Sequence, residues 1–133
     1  MLDGRYSYLG NRGGDDFIMR LIVAIIQPTK LHAVRDALRQ IGVHRLTVTD
    51  AHGYARQRGQ TATFRGMEYQ TNFLRKVMLE IVVNEDFLDR TIQTISDVSR
   101  CGVEGNIGDG KVFVLPALEV INIGNEERGP SAV

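Results

Sequence analysis

The fold is set by the stretch Arg20-Leu-Ile-Val-Ala-Ile-Ile-Gln27, an apolar and largely β-branched run that stops at Pro28. A short run of this kind, closed by a turn residue, predicts a central strand buried on both faces. It is too short to span a bilayer, and Asp15 and Asp16 precede it where a signal peptide would carry cations. We therefore expect a buried first strand and no membrane insertion.

Downstream of this strand the apolar pattern changes its period. Thr29 can cap a helix in which apolar residues recur every three or four positions and which ends at Gly42. The run Leu46–Thr49 then predicts a second strand, and strict alternation across Lys76–Val83 predicts a third. These segments give the order strand, helix, strand, strand.

The pattern then continues with a second helix and further strands. Asn84 can cap a helix with acidic residues in its first turn, and Gly102 ends it. A fourth strand is predicted at Val112–Leu115 and an edge strand at Leu118–Ile123. The order βαββαβ predicts an α+β fold of the ferredoxin-like type, with an extended loop between strands two and three and both helices on one face of the sheet.

The other face of this sheet has no predicted cover within the chain. Val23, Met78, Glu80 and Val82 lie on the side opposite the predicted helices. Apolar sheet surface of this size is usually covered by a partner, so we expect a symmetric homo-oligomer.

The composition indicates one domain in a reducing compartment. Of 133 residues, 43% are hydrophobic, which suffices for one modest core. Lys and Arg number 16, as do Asp and Glu, so no global charge attracts nucleic acid or an anionic membrane. Cys101 is the single cysteine, which fits the cytoplasm.

Residues 1–18 differ in composition from the rest, with four Gly, five charged residues and no apolar periodicity. We expect a flexible N-terminal tail, followed by one domain over residues 19–133. Met19 opens the first regular pattern, which raises the hypothesis that the tail is an artefact of start-site assignment. Detection of residues 1–18 by mass spectrometry of the native protein would exclude it.

The connection between the second and third strands, residues 53–75, is long for a compact domain. It is rich in Gly, Arg, Gln and Thr and also carries Tyr54, Phe64, Tyr69 and Phe73. One interpretation is a longer pair of strands that form an extended hairpin. The other is a protruding arm whose exposed Arg and Tyr side chains contact a partner.

The segment Gly105-Asn-Ile-Gly-Asp-Gly-Lys111 has the spacing of a GxxxxGK loop, in which backbone N–H groups and a Lys surround phosphate oxygens. Two features separate it from a true P-loop. Val112 stands where a Mg²⁺-binding hydroxyl would be, and the loop runs from a helix to a strand. By itself the segment is either an anion-binding loop or a helix stop and turn.

No committed catalytic group is visible in the sequence, and we expect no enzyme. His32, His44 and His52 fall on a helix, a turn and a strand end, without zinc-ligand spacing. The chain has no GxSxG elbow, and no base lies near Cys101 in sequence. A structural oligomer without a ligand is a third alternative, and it predicts that nucleotides leave the melting temperature unchanged.

A set of short motifs runs through the chain from Met19 onward, and together they match one family. The matching stretches are Ala24-Ile-Ile-Gln-Pro28, Lys30-Leu31, Thr47-Val-Thr49, Gly53-Tyr54, Arg56-Gln57, Arg65-Gly66, Glu68-Tyr69, Phe73-Leu74, Lys76-Val77 and Ile107-Gly-Asp-Gly-Lys-Val-Phe-Val114. Any one of them is weak, but in this order they are specific. The chain closely resembles the P-II nitrogen-regulatory signalling proteins.

The resemblance implies a homotrimer with three intersubunit clefts that bind ATP or ADP, and 2-oxoglutarate that joins through Mg²⁺-ATP. Gln57 and Lys76 match the residues that hold 2-oxoglutarate: the Lys can pair with a dicarboxylate, and the Gln amide can complete the metal-ligand assembly. Carried over by position, the nucleotide cleft uses Thr47, Gly53, Arg56, Gln57, Gly108, Asp109, Gly110 and Lys111.

The resemblance also makes residues 53–75 a partner-binding loop, through which ligand occupancy controls an enzyme or a membrane transporter in nitrogen metabolism. Tyr69 matches a tyrosine that is uridylylated in proteobacterial relatives, and an exposed phenol can accept a nucleotidyl group. A structural tyrosine is the alternative at this position. Met67 stands where cyanobacterial relatives have a phosphorylated serine.

The chain departs from the family where phosphates would be held. Asn122 and Gly124 replace two arginines that clamp the nucleotide phosphates, a loss that lowers phosphate affinity by about 10²–10⁴-fold unless Arg58 or Arg20 compensates. The glycine loop is also longer, around residues 103–105. These departures favour, as the alternative, a divergent P-II-like sensor of ADP or AMP and bicarbonate linked to carbon fixation or inorganic-carbon uptake.

Overall fold

The computed structural model describes residues 18–58 and 69–133, and of residues 55–58 and 69–73 only the backbone. The predicted tail, apart from Ile18, therefore lies outside the described residues. The α+β order βαββαβ is confirmed, with β1 Met19–Ile26, α1 Leu31–Gln40, β2 Thr47–Arg58, β3 Tyr69–Asn84, α2 Glu85–Ser99, β4 Gly110–Pro116 and 3₁₀ turns at Pro28–Lys30 and Gly129–Ala132.

The four strands form one antiparallel sheet in the order β2-β3-β1-β4. β1 is central, as its sequence predicts, and pairs with β3 along its whole length. Alternate residues of β1, namely Ile22, Ala24 and Ile26, are at most 1% exposed and form the middle of the core. Burial of these side chains is the main stabilising contribution at the centre of the domain.

Both helices pack against this face of the sheet. Val34 and Leu38 of α1 and Ile95 of α2 are fully buried in the same core, as the three- and four-residue spacing predicts. Thr91 of α2 is also buried, and its hydroxyl donates to the carbonyl oxygen of Phe87 at 2.6 Å. This bond satisfies a polar group that burial would otherwise leave without a partner.

One predicted helix cap is wrong, and the other is confirmed in its position but makes no capping hydrogen bond. Thr29 lies inside the 3₁₀ turn Pro28–Lys30, and α1 follows Lys30 without a side-chain cap. Asn84 does stand at the N-cap position of α2, but its side chain donates to the carbonyl oxygen of Pro130 at 3.3 Å instead of capping the helix. The contact with Pro130 uses Nδ2, and Oδ1, the atom that would accept in a cap, is buried without a hydrogen-bond partner.

The predicted edge strand at Leu118–Ile123 is also wrong. Ile121 forms an isolated bridge with Arg128, so the segment folds back on the residues that follow it instead of joining the sheet. The N–H of Asn122 donates to the carbonyl oxygen of Glu127 at 2.8 Å and closes this small hairpin. Its Gly and Asn residues favour a turn at this place.

β2 and β3 are much longer than predicted, with 12 and 16 residues. They pair as far as Arg58 and Tyr69, whereas β1 pairs with β3 only from Val77 onward. Residues 51–58 and 69–76 therefore extend past the rest of the sheet as a two-stranded ribbon, called the arm below. Over these residues the connection is the extended hairpin that one interpretation predicts, and its tip lies outside the described residues.

The face of the sheet opposite the helices carries an apolar stripe. Leu21, Val23 and Ile25 of β1 are only half-buried there. On the neighbouring β4, Phe113 and Leu115 pair with two of these residues and are 47% and 43% exposed. This is the surface on which the sequence predicts a partner.

Candidate functional site

The glycine loop, residues 105–111, follows α2 and runs into the first residues of β4. There it lies against the end of β1. Gly110 pairs with Ile26 and has a φ of 130°, a region that L-residues rarely adopt. A Cβ at Gly110 would lie 1.9 Å from the carbonyl oxygen of Ile25. Only a glycine therefore allows this close approach of the loop to the sheet.

Asp109 holds the loop together from within. Its Oδ2 accepts hydrogen bonds from the N–H groups of Cys101 at 2.9 Å and Asn106 at 2.7 Å. These bonds lower the pKa of Asp109 to about 2, so the carboxylate is ionised at neutral pH. One of these bonds lies within the loop and the other ties it to Cys101, so Asp109 acts as an organiser of the loop.

Cys101 is partly exposed next to this carboxylate. Hydrogen bonding to Asp109 and desolvation raise the pKa of the Cys101 thiol. A raised pKa keeps the sulfur protonated and less nucleophilic. The structure therefore gives no support to a nucleophilic cysteine.

The glycine loop is tied to the root of the arm through one carbonyl group. Lys76 Nζ donates to the carbonyl oxygen of Gly108 at 2.6 Å, and Gln27 Nε2 approaches the same oxygen at 3.4 Å. Lys76 lies opposite Ala51 in the β2–β3 pair. Sequence reasoning missed Gln27, although it belongs to the motif Ala24–Pro28, because its bond joins residues that are far apart in the chain.

A cleft of about 560 Å³ lies on the α2 side of the glycine loop. Its apolar wall is formed by Ile26 and Ile95, and its charged wall includes Arg100, Glu104 and Lys111. Gln27 and Lys76 are not part of its lining, so the loop separates this cleft from the Lys76 contact. The loop is thus accessible from one side while it is tied to the arm on the other.

The model of the family "Nitrogen regulatory protein P-II" matches residues 19–127. The chain belongs to this family. It is 44% identical over 115 residues to nitrogen regulatory protein GlnK1 of Methanosarcina mazei, which covers 86% of this chain and 97% of the relative. The family model thus matches 109 of the 115 residues of the domain predicted at 19–133.

Solved structures agree with this assignment. A B. subtilis GlnK-ATP complex is similar with a TM-score of 0.70 at 29% identity, over 86% of this chain and 97% of that one. Arabidopsis thaliana PII bound to citrate gives a TM-score of 0.70 at 35% identity, over 89% and 92% of the two chains.

The remaining predicted site residues of this P-II chain lie on β2 and the arm. Gly53 pairs with Leu74, and Tyr69 pairs with Arg58 at the start of β3. Arg56 and Gln57 continue β2 beyond Gly53, and their side chains, like that of Tyr69, lie outside the described residues. The structure thus places these residues along one ribbon whose root is Lys76.

Thr47 is not brought to the glycine loop within one P-II chain. It opens β2 and pairs with Glu80, whereas the loop precedes β4. Two strands separate β2 from β4, which puts roughly 14 Å between these sheet edges. Thr47 and the glycine loop thus lie at opposite edges of one sheet.

Arg20 does not supply a cation to the glycine loop of its own chain, and Asn122 and Gly124 carry none. Arg20 pairs with Glu85 at 3.7 Å and lies six residues from Ile26 along β1, roughly 20 Å from the loop end of the strand. Asn122 Oδ1 accepts the N–H of Gly124 at 3.1 Å in a local turn. Within one chain, Arg20 thus lies too far from the loop to substitute for the family's arginines.

The donors for a metal ion are sparse. Within residues 18–58 and 69–133, no three His, Cys, Asp or Glu side chains form a group that could hold one. Mg²⁺ would therefore depend on phosphate oxygens and on the predicted ligand Gln57.

No helix in the described part of the chain is long and apolar enough to cross a membrane.

Proposed function

We propose that this P-II protein is a cytoplasmic signalling regulator that binds adenine nucleotides and controls a partner enzyme or transporter in nitrogen metabolism. The observation that carries the proposal is the 2.6 Å hydrogen bond from Lys76, at the root of the arm, to Gly108 in the glycine loop. A ligand at the loop can act on the arm only if its affinity differs between two arm positions. This bond gives the two regions a direct physical connection.

The nucleotide is ATP or ADP, and its phosphates lie against Gly108, Asp109, Gly110 and Lys111. Lys111 is exposed at the start of β4, where its ammonium can reach a phosphate. The B. subtilis relative, whose structure is an ATP complex, supports a nucleotide in this family. Gly53, Arg56 and Gln57 complete the cleft from the arm, and Thr47 completes it from a neighbouring copy.

A dicarboxylate, 2-oxoglutarate, is proposed as the second effector. Lys76 would pair with one of its carboxylates, and Gln57 would complete the coordination of a nucleotide-bound Mg²⁺. The Arabidopsis relative bound to citrate supports carboxylate binding in the family. When Lys76 turns to such a ligand, its bond to Gly108 weakens and the root of the arm is released.

The assembly is proposed to be a homotrimer. The half-buried stripe on β1 and the exposed Phe113 and Leu115 on β4 supply the apolar surface that the copies bury against each other. The position of Thr47 and the glycine loop at opposite edges of one sheet supports the same proposal, because a neighbouring copy would bring the two together. Three copies would then enclose three equivalent clefts.

The arm is proposed to bind the partner, and Tyr69 is its candidate modification site. Tyr69 lies at the far end of the described ribbon, opposite Arg58 and away from the core. Uridylylation there would add a bulky anionic group to the surface that meets the partner. A regulator that acts by binding a partner in this way needs no catalytic activity of its own.

A second candidate function rests on the C-terminal hairpin. Asn122 and Gly124 close a turn with each other and offer no positive charge to a phosphate. The missing positive charge lowers the affinity less for a ligand with fewer phosphates. This favours a sensor of ADP or AMP. In this alternative bicarbonate is the second effector, and the partner acts in carbon fixation or inorganic-carbon uptake.

Isothermal titration calorimetry with ATP, ADP and AMP distinguishes the two candidates, with each nucleotide titrated alone and then with 2-oxoglutarate or bicarbonate. Tight ATP binding that 2-oxoglutarate strengthens in the presence of Mg²⁺ supports the nitrogen regulator. Preference for ADP or AMP, with a response to bicarbonate only, supports the alternative. Absence of binding by all three nucleotides would refute both.

A further inference from the structure

Lys30 is a cation beside the glycine loop that the site described above does not use. It ends the 3₁₀ turn Pro28–Lys30, directly behind β1, whose last residue Ile26 pairs with Gly110. The N–H of Lys30 donates to the carbonyl oxygen of Gln27 at 3.0 Å. Because Gln27 also reaches Gly108, the turn that carries Lys30 is connected to the loop.

The ammonium group of Lys30 has no fixed counter-ion. Its side chain is half-buried, and within the described residues it makes no side-chain hydrogen bond and no ion pair, including none with Asp109. Its charge nevertheless acts on the Asp109 carboxylate. The pKa of Asp109 is lowered first by the N–H groups of Cys101 and Asn106, and the charge of Lys30 lowers it further.

The loop therefore lies in a local excess of positive charge. Lys76 and Lys111 flank it, Lys30 lies behind it, and Asp109 is the carboxylate at its centre. Oδ2 of this carboxylate accepts from two N–H donors, Oδ1 is buried without a hydrogen-bond partner, and neither oxygen forms an ion pair with a Lys among the described residues. Since the whole chain carries no net charge, this excess is local and suits an anion of two or more charges.

We propose that Lys30 is a further phosphate-binding residue, which acts with Lys111 on the charged end of a nucleoside di- or triphosphate. The inference rests on the proposed nucleotide function and extends it to a residue on the first turn. A long, flexible ammonium side chain without a fixed partner can move onto a phosphate at little structural cost. The contribution of Lys30 to the binding free energy grows with the number of phosphates that it contacts.

The test compares Lys30→Gln with the wild-type protein by calorimetry with ATP, ADP and AMP in the same buffer. Arg39→Gln is the matched control, because it removes the same charge from an exposed position in the last turn of α1. This position lies nine residues from Lys30, roughly 14 Å along the helix. Lys30→Arg keeps the charge and tests whether a cation is what the site requires.

We expect Lys30→Gln to weaken ATP binding about ten-fold, ADP binding less, and AMP binding less than about two-fold. Arg39→Gln and Lys30→Arg should stay within about three-fold of the wild type for all three nucleotides. Equal affinities of Lys30→Gln and wild type for ATP would overturn the inference and leave the proposed function standing. A uniform loss for all three would also overturn it, because it would assign Lys30 to the shape of the loop. A wild-type protein that binds no nucleotide would instead refute the proposed function itself.

Discussion

Replacement of Gly110 by alanine should damage both the stability of the domain and the glycine loop. The new Cβ would lie 1.9 Å from the carbonyl oxygen of Ile25, a backbone atom that cannot rotate away. Either the loop or the end of β1 must shift, and both belong to the candidate site. Gly108→Ala is the matched control, because Gly108 also has a positive φ, 101°, but a methyl group added there would meet nothing within 4 Å.

Comparison of the two variants separates the free-energy cost of an alanine at positive φ from the cost of the steric collision with Ile25. An alanine at either φ costs about 1–3 kcal/mol of conformational strain. The collision at Gly110 adds roughly 1–3 kcal/mol, the usual cost of overpacking. The gain from a less flexible unfolded chain, about 0.4–1 kcal/mol, is common to both variants and cancels in their comparison. We therefore expect Gly110→Ala to be the less stable variant by about 1–3 kcal/mol.

Urea unfolding at one fixed protein concentration measures this difference, since assembly makes stability depend on concentration. ATP titration of the folded variants then reports on the loop. Gly110→Ala should bind ATP more weakly than Gly108→Ala if the loop is the part that shifts. Equal unfolding free energies for the two variants, within about 0.5 kcal/mol, would show that the close contact at Ile25 does not constrain the loop.

Three other changes test the loop, the arm root and the assembly. The pKa of Asp109 falls from 3.8 to about 2 on folding, so its carboxylate stabilises the folded state above pH 3.8 and loses this effect as the pH falls toward 2. The stability advantage of wild type over Asp109→Asn should therefore shrink in that window; an advantage independent of pH would contradict the assignment. Lys76→Met should lower stability by about 0.5–1.5 kcal/mol, since its bond to Gly108 is partly exposed, and should abolish binding of 2-oxoglutarate while it largely spares ATP. Phe113→Asp should dissociate the oligomer in analytical ultracentrifugation, whereas Val103→Asp, at a position 96% exposed, should leave it intact; a trimer in both would place the interface elsewhere.

The elements that sequence predicts well are those whose apolar side chains enter the core. β1 and both helices follow from their periodicity, because Ile22, Val34 and Ile95 must face one another. The length of the arm could not be predicted in this way. Residues 51–58 are mostly polar, and their strand is held by main-chain pairing with β3 instead of by apolar alternation.

In the candidate site, too, some features could be predicted from the sequence and others could not. The glycine loop is visible as a motif, because its spacing is a local property of the chain. The contacts of Gly108 with Lys76 and Gln27 are not, because they join residues 32 and 81 positions apart. The edge-strand prediction is wrong for a local reason, since Asn122 and Gly124 close a turn that competes with sheet pairing.

The strength of the Gly108 connection limits how the proposed regulator can work. A hydrogen bond from a charged group contributes about 1.5–3 kcal/mol when shielded and less when exposed, and coupling energies between protein sites are commonly about 1–3 kcal/mol. Because the Lys76 bond is exposed and contributes about 0.5–1.5 kcal/mol, a ligand that captures Lys76 can change the ratio of two arm positions by about 2–13-fold. Such a factor reverses the arm's preference only if the two positions are nearly balanced without ligand. Gln27 favours this balance, because it offers Gly108 a second donor and so lowers the cost of releasing Lys76. Replacement of Gln27 by leucine would remove that donor, and we expect 2-oxoglutarate to bind more weakly as a result.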